Sequence, residues 1–115
     1  MPAFLLGVSS EEVRALNQQF GGTTEMNSTV DAVFQSASYA TNFWKKVAIV
    51  VRSIAGGHLL DNGNKRTAFR CVKLFKLRNQ VVTGTNDTML RETIRLVAIH
   101  LIKDVDQIAS QLRGF

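Results

Sequence analysis

Residues 64–78 read Asn-Lys-Arg-Thr-Ala-Phe-Arg-Cys-Val-Lys-Leu-Phe-Lys-Leu-Arg, a run with the periodicity of an α-helix. Its apolar side chains share one wide face, formed by Ala68, Cys71, Val72, Leu74 and Phe75. Because neighbouring elements must cover a wide apolar face, the run predicts a buried helix at the centre of a domain. Asn79 follows at a position typical of a helix C-terminus.

The chain before this run begins with a clear helix start. Ser9 and Glu12 have the spacing of a capping box, in which the hydroxyl accepts from a free amide of the first turn. The apolar positions that follow at helical spacing are Val13, Leu16 and Phe20. Gly21 and Gly22 then favour the end of this first helix.

Two more helices are predicted before the central run. Ser28 or Thr29 can cap a second helix, whose inner face is Val30, Val33, Phe34 and Ala37. A third runs from about Asn42 to Gly56 and Gly57, and its apolar stripe is Phe43, Val47, Val50, Val51 and Ile54.

The chain after the central run contains a short β-prone segment, residues 81–84, and two more helical patterns. Asn86 or Asp87 opens a fifth helix, with an inner face of Leu90, Ile94, Val97, Ala98 and Leu101. Asp104 and Gln107 cap a sixth, which buries Ile108 and Leu112. Strand-like alternation is absent elsewhere, so the sequence predicts an all-α bundle of about six helices, a single domain over residues 1–115.

Composition excludes several classes of protein. The chain has 115 residues, 45% of them hydrophobic, and one proline, which favours a single folded domain over a disordered chain. Cys71 is the only cysteine, which excludes an internal disulfide and predicts a reducing, cytoplasmic setting. The apolar segment Met1 to Val8 lacks the basic flank of a signal peptide, and no apolar run is long enough to span a bilayer.

Positive charge is concentrated in the middle third of the chain. The net charge is +5, and between Thr41 and Gln80 nine basic residues face a single acidic one, Asp61. Such a field attracts phosphate in a nucleotide, a nucleic acid or a lipid headgroup. Charge alone does not choose among these ligands.

The loop that enters the central helix has the parts of a phosphate site. Gly63 allows free amides at a helix start to converge on one anion, and Asn64 can cap the helix and hold the loop. Lys65 and Arg66 add cationic donors at a helix N-terminus, where they are unfavourable unless an anion is present. His58, at the other end of the loop, is a candidate general base, because a histidine imidazole can accept a proton from a hydroxyl near neutral pH.

Two residues of the same loop are candidate ligands for a divalent cation. Asp61 offers a carboxylate and Asn62 a neutral carbonyl oxygen, and Mg²⁺ that bridges phosphates prefers oxygen ligands. Together with the base and the cationic donors, they suggest phosphoryl or nucleotidyl transfer, in which catalysis is mostly positioning and charge stabilisation. His100 has no motif around it and is predicted to be structural.

Residues 58–66 resemble the signature of the Fic/Doc proteins, which is His, any residue, Phe, any residue, Asp or Glu, Gly or Ala, Asn, Gly or Lys, Arg. Five positions match, at His58, Gly63, Asn64, Lys65 and Arg66. Lys65 is followed by Arg66, Thr67 and Ala68, and this run is similar to the corresponding sequence of the Doc branch, the death-on-curing toxins. The resemblance covers roughly residues 9–113, because the opening helix, residues 74–79 and the closing helix also look Doc-like.

The resemblance implies a compact helical enzyme that uses ATP and Mg²⁺, with the motif loop leading into a central helix. In typical Fic proteins the motif histidine deprotonates a target hydroxyl, and AMP is transferred. In the Doc branch the nucleotide is reversed, the γ-phosphate is transferred to a threonine of elongation factor Tu, and translation stops. By position, His58 would be the base, Asn64 and Arg66 would hold phosphates, and Lys65 would help to set the pose.

Two positions depart from the signature. The family's acidic magnesium ligand is Asn62 here, and its phenylalanine is Leu60. Three interpretations therefore stay open: a Doc-like kinase, a Fic-like AMP transferase, and a degenerate relative that acts as an interaction module. Asp61, one residue early, is a candidate substitute ligand if the loop shifts.

Partners follow from the same resemblance. An enzyme of this type modifies a Ser or Thr hydroxyl of a protein, and the toxins are usually neutralised by a small antitoxin. The inhibitory Ser/Thr-x-x-x-Glu-Gly/Asn motif of some relatives is not completed, because Glu92 is followed by Thr93. Inhibition is therefore expected from another chain. A nucleic-acid binder rests on charge alone, since aromatic residues are not interleaved with the basic ones.

Overall fold

Six helices and one short hairpin make up the part of the chain that the computed structural model describes, residues 2–114. In chain order they are β1 (Phe4–Leu5), β2 (Val8–Ser9), α1 (Ser10–Gln19), α2 (Val30–Ser38), α3 (Phe43–Val51), a π-helical turn (Arg52–Gly56), α4 (Asn64–Arg78), α5 (Asp87–Ala98) and α6 (Val105–Arg113). The all-α prediction is confirmed, because the only sheet within residues 2–114 is the antiparallel pair β1–β2. Met1 and Phe115, the two ends of the predicted domain, lie outside the described residues.

Side-chain caps determine where five of the helices begin. The capping residues are Ser9, Thr29, Asn42, Asn86 and Asp104, and each accepts a hydrogen bond from the amide three residues later. The central helix α4 differs, because its N-cap is Gly63 with φ of 69°. Asn64 is therefore the first residue of the helix and not its cap, which corrects that part of the sequence prediction.

The core is one hydrophobic cluster with members from every helix and both strands. Helix α4 contributes Ala68, Cys71, Val72 and Phe75, and the ring of Phe75 lies 5.9 Å from that of Phe34 on α2. The predicted inner faces of α2 and α6 are buried in full. Helix α4 therefore occupies the central position that its wide apolar face predicts. None of the helices within residues 2–114 combines the length and hydropathy that a bilayer crossing requires.

The N-terminal hairpin was not predicted, because its apolar residues lack a strand-like alternation. Leu6 and Gly7 form its two-residue turn with φ of 52° and 79°, and turns with two positive φ values match the twist of paired strands. Side chains at the end of α4 hold this turn: Arg78 Nη1 donates to the Gly7 carbonyl at 2.6 Å, and Asn79 Nδ2 donates to the Leu6 carbonyl at 2.8 Å. Long-range contacts of this kind leave no local sequence signal.

Two other segments differ from the sequence prediction. Helix α5 ends at Ala98, so Leu101 lies beyond it and its surface is 69% exposed, not inward. Residues 81–84 form no strand, and Val82 is 93% exposed, because no neighbouring segment pairs with them among the described residues. An isolated β-prone segment has no partner for its backbone groups and stays irregular.

Candidate functional site

The motif loop leaves α3 through the π-helical turn. The Gly57 amide donates to the Arg52 carbonyl at 2.9 Å, five residues back, so one extra residue is accommodated before the loop. His58 then adopts a left-handed backbone, with φ of 47°, and its side chain is exposed. Leu59 and Leu60 are 2% and 3% exposed and anchor the loop in the core. Leu60 thus packs inward, at the position where the Fic/Doc signature has phenylalanine.

The loop is also paired with the segment that follows α1. Leu60 forms an antiparallel β-bridge with Glu25. The Met26 amide donates to the Leu59 carbonyl at 2.7 Å, and the Asp61 amide donates to the Thr24 carbonyl at 3.0 Å. The motif loop is therefore held along its length by main-chain hydrogen bonds as well as by its buried leucines.

The Asp61 carboxylate anchors the same neighbouring segment. Its Oδ1 accepts from the amides of Thr23 at 2.9 Å and Thr24 at 3.1 Å, and its Oδ2 accepts from the Thr23 hydroxyl at 2.8 Å. These hydrogen bonds, first among them the one from the Thr23 amide, hold the pKa of Asp61 below its usual value. Both oxygens are thus engaged with this segment.

Asn64 closes the loop on itself. Its Oδ1 accepts from the Leu60 amide at 2.9 Å, and its Nδ2 donates to the Leu60 carbonyl at 2.8 Å. Gly63 precedes Asn64 and has a left-handed backbone conformation. A Cβ atom added to Gly63 would lie 2.9 Å from both the Cβ atom and the carbonyl oxygen of Phe20. Asn64 therefore holds the loop, as its sequence position indicates, and Gly63 permits the tight approach to Phe20.

Asn17 on α1 is a site-supporting residue that the sequence prediction missed. Its side chain is buried, and Nδ2 donates to the main-chain carbonyl of Asn62 at 2.7 Å and to the Thr67 hydroxyl at 3.1 Å. A single amide thus joins the motif loop to the first turns of α4. An asparagine four residues after the apolar Val13, and so on the buried face of α1, is the signal that identifies it, because a buried amide requires partners.

A cleft of about 630 Å³ brings all seven predicted site residues together. Its walls include His58, Asp61, Asn62 and the start of α4, Gly63 to Arg66. Phe20, Ala55, Ala98 and Ile99 complete the lining. The candidate base and the candidate phosphate donors therefore share one solvent-accessible space, large enough for part of a nucleotide.

The start of α4 carries two cations, Lys65 and Arg66, and no acidic residue. Helix α3 also begins with two cations and no acidic residue, but its Lys45 pairs with Asp106 and its Lys46 donates to the Ser38 carbonyl. Neither Lys65 nor Arg66 forms a salt bridge with another described residue. Two unpaired cations beside the positive end of a helix dipole favour an anion in the cleft.

The metal donors of the site are few. Asn62 Oδ1 accepts from the Gly63 amide at 2.9 Å, and both oxygens of Asp61 are engaged as described above. Within residues 2–114 no group of three or more His, Cys, Asp or Glu side chains is arranged to hold a metal ion. The donor set does not match the free carboxylates with which proteins usually hold Mg²⁺ beside phosphates.

His100 is the second histidine and lies next to the first. It follows α5 in a left-handed conformation, with φ of 64°, and it is exposed. Its ring centroid is 6.2 Å from that of His58, with the planes inclined by 65°. No linear motif indicates this proximity, because the two residues belong to different loops.

Comparison with known proteins gives no family assignment. No protein-family model matches the chain, and no curated protein matches it.

Proposed function

We propose that the chain is a Doc-like toxin that transfers the γ-phosphoryl group of ATP to a Ser or Thr hydroxyl of a protein. The observation that supports this function best is the cleft that His58 shares with the cationic start of α4. A base and anion donors in one cleft are what phosphoryl transfer requires of a protein.

The residues of the cleft perform distinct tasks in this reaction. The His58 imidazole accepts the proton of the target hydroxyl, whose oxygen forms a bond to the γ-phosphorus. The bond between that phosphorus and the oxygen bridging it to the β-phosphorus breaks, and ADP leaves. Lys65, Arg66 and the free amides of the first turn of α4 bind the phosphate oxygens and stabilise the charge that develops on them. Asn64 and Asn17 keep the loop in shape for this contact.

A second candidate function is favoured by a specific observation. Asn62 stands at the acidic position of the signature, and the Asp61 carboxylate is held by Thr23 and Thr24. A chain without a free carboxylate at this place fits a degenerate relative that binds a partner without turnover. In either case we expect a small antitoxin-like protein to be the natural inhibitor.

The deciding experiment incubates the purified protein with a bacterial extract, Mg²⁺ and ATP labelled at the α- or the γ-phosphate. The variant His58→Ala removes the proposed base. His100→Ala is a matched control, because it removes a neighbouring exposed histidine that also has a positive φ. We expect γ-label on a protein with the wild type and with His100→Ala, and none with His58→Ala.

Two other results would overturn the proposal. Transfer of α-label instead of γ-label would make the chain an AMP transferase. Absence of label from either nucleotide, with circular dichroism showing folded protein, would favour the degenerate binding module.

A further inference from the structure

A second cavity continues from the motif cleft between α4 and α5. It has a volume of about 510 Å³ and shares Phe20, Lys65 and Arg66 with the cleft. Five of its lining residues are cations, and we name it the basic groove: Lys65, Arg66, Arg70, Arg91 and Arg95. Among the residues that the structure describes, no acidic side chain lines it.

Contacts between the two helices give the direction of the groove. Lys73 pairs with Asp87 at 2.8 Å, and the Arg91 guanidinium lies 4.3 Å from the centroid of the Phe69 ring. As residue numbers fall along α4 they rise along α5, so the helices are antiparallel. The groove therefore extends from Lys65 and Arg66 at the cleft, along both helices and away from His58.

The cations of the groove are largely without internal partners. Arg95 pairs with Glu92 at 2.6 Å, whereas the other four form no salt bridge with a described residue. Elsewhere on α4, Lys73 and Arg78 are neutralised by Asp87 and Glu12. Unpaired like charges facing one another repel, and an anionic partner removes this repulsion.

The lining between the cations indicates the kind of anion. Phe20, Phe69 and Ile94 supply an apolar surface, and Arg91 already covers a face of the Phe69 ring. Arg91 and Arg95 are four residues apart on α5, and Arg70 lines the groove from α4. Carboxylates one helical turn apart, with an apolar side chain between them, complement this pattern.

We infer that the basic groove docks an acidic segment of the protein substrate, one that carries Asp or Glu side chains about a turn apart and an apolar residue between them. The inference rests on the proposed function, because continuity with the motif cleft is what makes the docked chain a substrate: a hydroxyl beyond its end reaches His58. Docking of this kind supplies affinity and register that a single hydroxyl does not.

The test measures binding without nucleotide, so it stands apart from the test of transfer. A fluorescein-labelled helical peptide carries glutamates four residues apart, leucines between them and one threonine near an end, and a matched peptide has glutamine for every glutamate. Fluorescence anisotropy is measured with the wild type and with the double variant Arg70→Gln/Arg91→Gln. The control is Arg52→Gln/Lys103→Gln, which removes equal charge from a separate cavity.

We expect the acidic peptide to bind, the glutamine peptide to bind at least tenfold more weakly, and the groove variant to lose roughly tenfold or more in affinity while the control variant changes little. Binding should weaken as salt rises to about 0.15 M. Equal losses in both variants, equal binding of both peptides, or tighter competing binding by single-stranded RNA would overturn the inference.

Two further readouts separate this inference from the proposed function. In the labelling assay the groove variant should raise KM for the threonine peptide with little change in kcat, because Arg70 and Arg91 lie away from the reacting atoms. A peptide that binds the groove but receives no label, while other proteins in the extract are labelled through His58, would overturn the substrate role and leave the proposed function standing.

Discussion

The side-chain amide of Asn17 donates to the main-chain carbonyl of Asn62 at 2.7 Å, across 45 residues of sequence. The same nitrogen donates to the Thr67 hydroxyl at 3.1 Å, so one buried group fixes both the motif loop and the start of α4. The geometry of the candidate site thus depends on a residue outside the motif.

Replacement of Asn17 tests this dependence. We expect Asn17→Ala to lower the free energy of unfolding by about 1–3 kcal/mol, because it leaves the Asn62 carbonyl and the Thr67 hydroxyl without their buried partner. ATP binding, measured by titration calorimetry, should weaken as the loop loses its anchor. The control Gln18→Ala changes an exposed neighbour and should alter neither quantity. Unchanged stability in Asn17→Ala would contradict the prediction.

Gly63 provides a second test, with Gly7 as its matched control. Both have a left-handed backbone, with φ of 69° and 79°, so an alanine costs about 1–2 kcal/mol of conformational strain at either position. At Gly63 the new Cβ also meets Phe20 at 2.9 Å, whereas at Gly7 the nearest atom is Arg78 Cβ at 3.6 Å.

We therefore expect Gly63→Ala to be more destabilising than Gly7→Ala by about 1–3 kcal/mol in urea denaturation. It should also weaken ATP binding, because the start of α4 must move away from Phe20. Equal unfolding free energies in the two variants would show that Phe20 gives way without cost.

Cys71 should be unreactive toward alkylating reagents in the folded protein. It is fully buried, and burial raises the pKa of its thiol to about 12. The thiolate is the form that reacts with iodoacetamide. At pH 8 we therefore expect the protein in denaturant to be modified as fast as N-acetylcysteine, and the native protein to be modified far more slowly. Mass spectrometry of timed samples measures both rates. Fast modification under native conditions would contradict the burial of this side chain.

Acid should destabilise the fold through Asp31. Hydrogen bonds from the Ser10 hydroxyl and the Ala3 amide, with the Arg14 guanidinium beside them, lower the pKa of Asp31 from 3.8 to about 2. Because the folded-state pKa is the lower one, this stabilisation is complete above the unfolded value of 3.8 and is lost as the pH falls toward 2. The unfolding free-energy difference between wild type and Asp31→Asn should therefore shrink over that interval in denaturant titrations. A difference that stays constant with pH would show that the carboxylate gains nothing from these contacts.

Local chemistry explains why the helices were predictable. Helices begin after Ser9, Asn86 and Asp104, whose side chains accept hydrogen bonds from amides three residues later. Because both partners are close in sequence, these helix starts can be predicted from the sequence. The buried face of α4 likewise follows from residue spacing, which also places the motif loop before a central helix.

The features that could not be predicted from the sequence depend on contacts between distant segments. The hairpin turn at Leu6 is held by Asn79, and the role of Asn17 is defined by Thr67. The proximity of His58 and His100 likewise arises only from packing, because the loops after the π-helical turn and after α5 meet in space. Patterns of one or two turns do not report such contacts.

The hydrogen bonds between the end of α4 and the hairpin turn at Leu6 and Gly7 have a consequence for biosynthesis. Arg78 and Asn79 bind carbonyls that lie 71 and 73 residues earlier. Translation proceeds at roughly 5–20 residues per second. The hairpin turn at Leu6 and Gly7 cannot form these hydrogen bonds until the end of α4 has left the ribosome. The motif loop lies between the two ends of this long-range contact, so the contact can close around the loop only after residue 79 has been made.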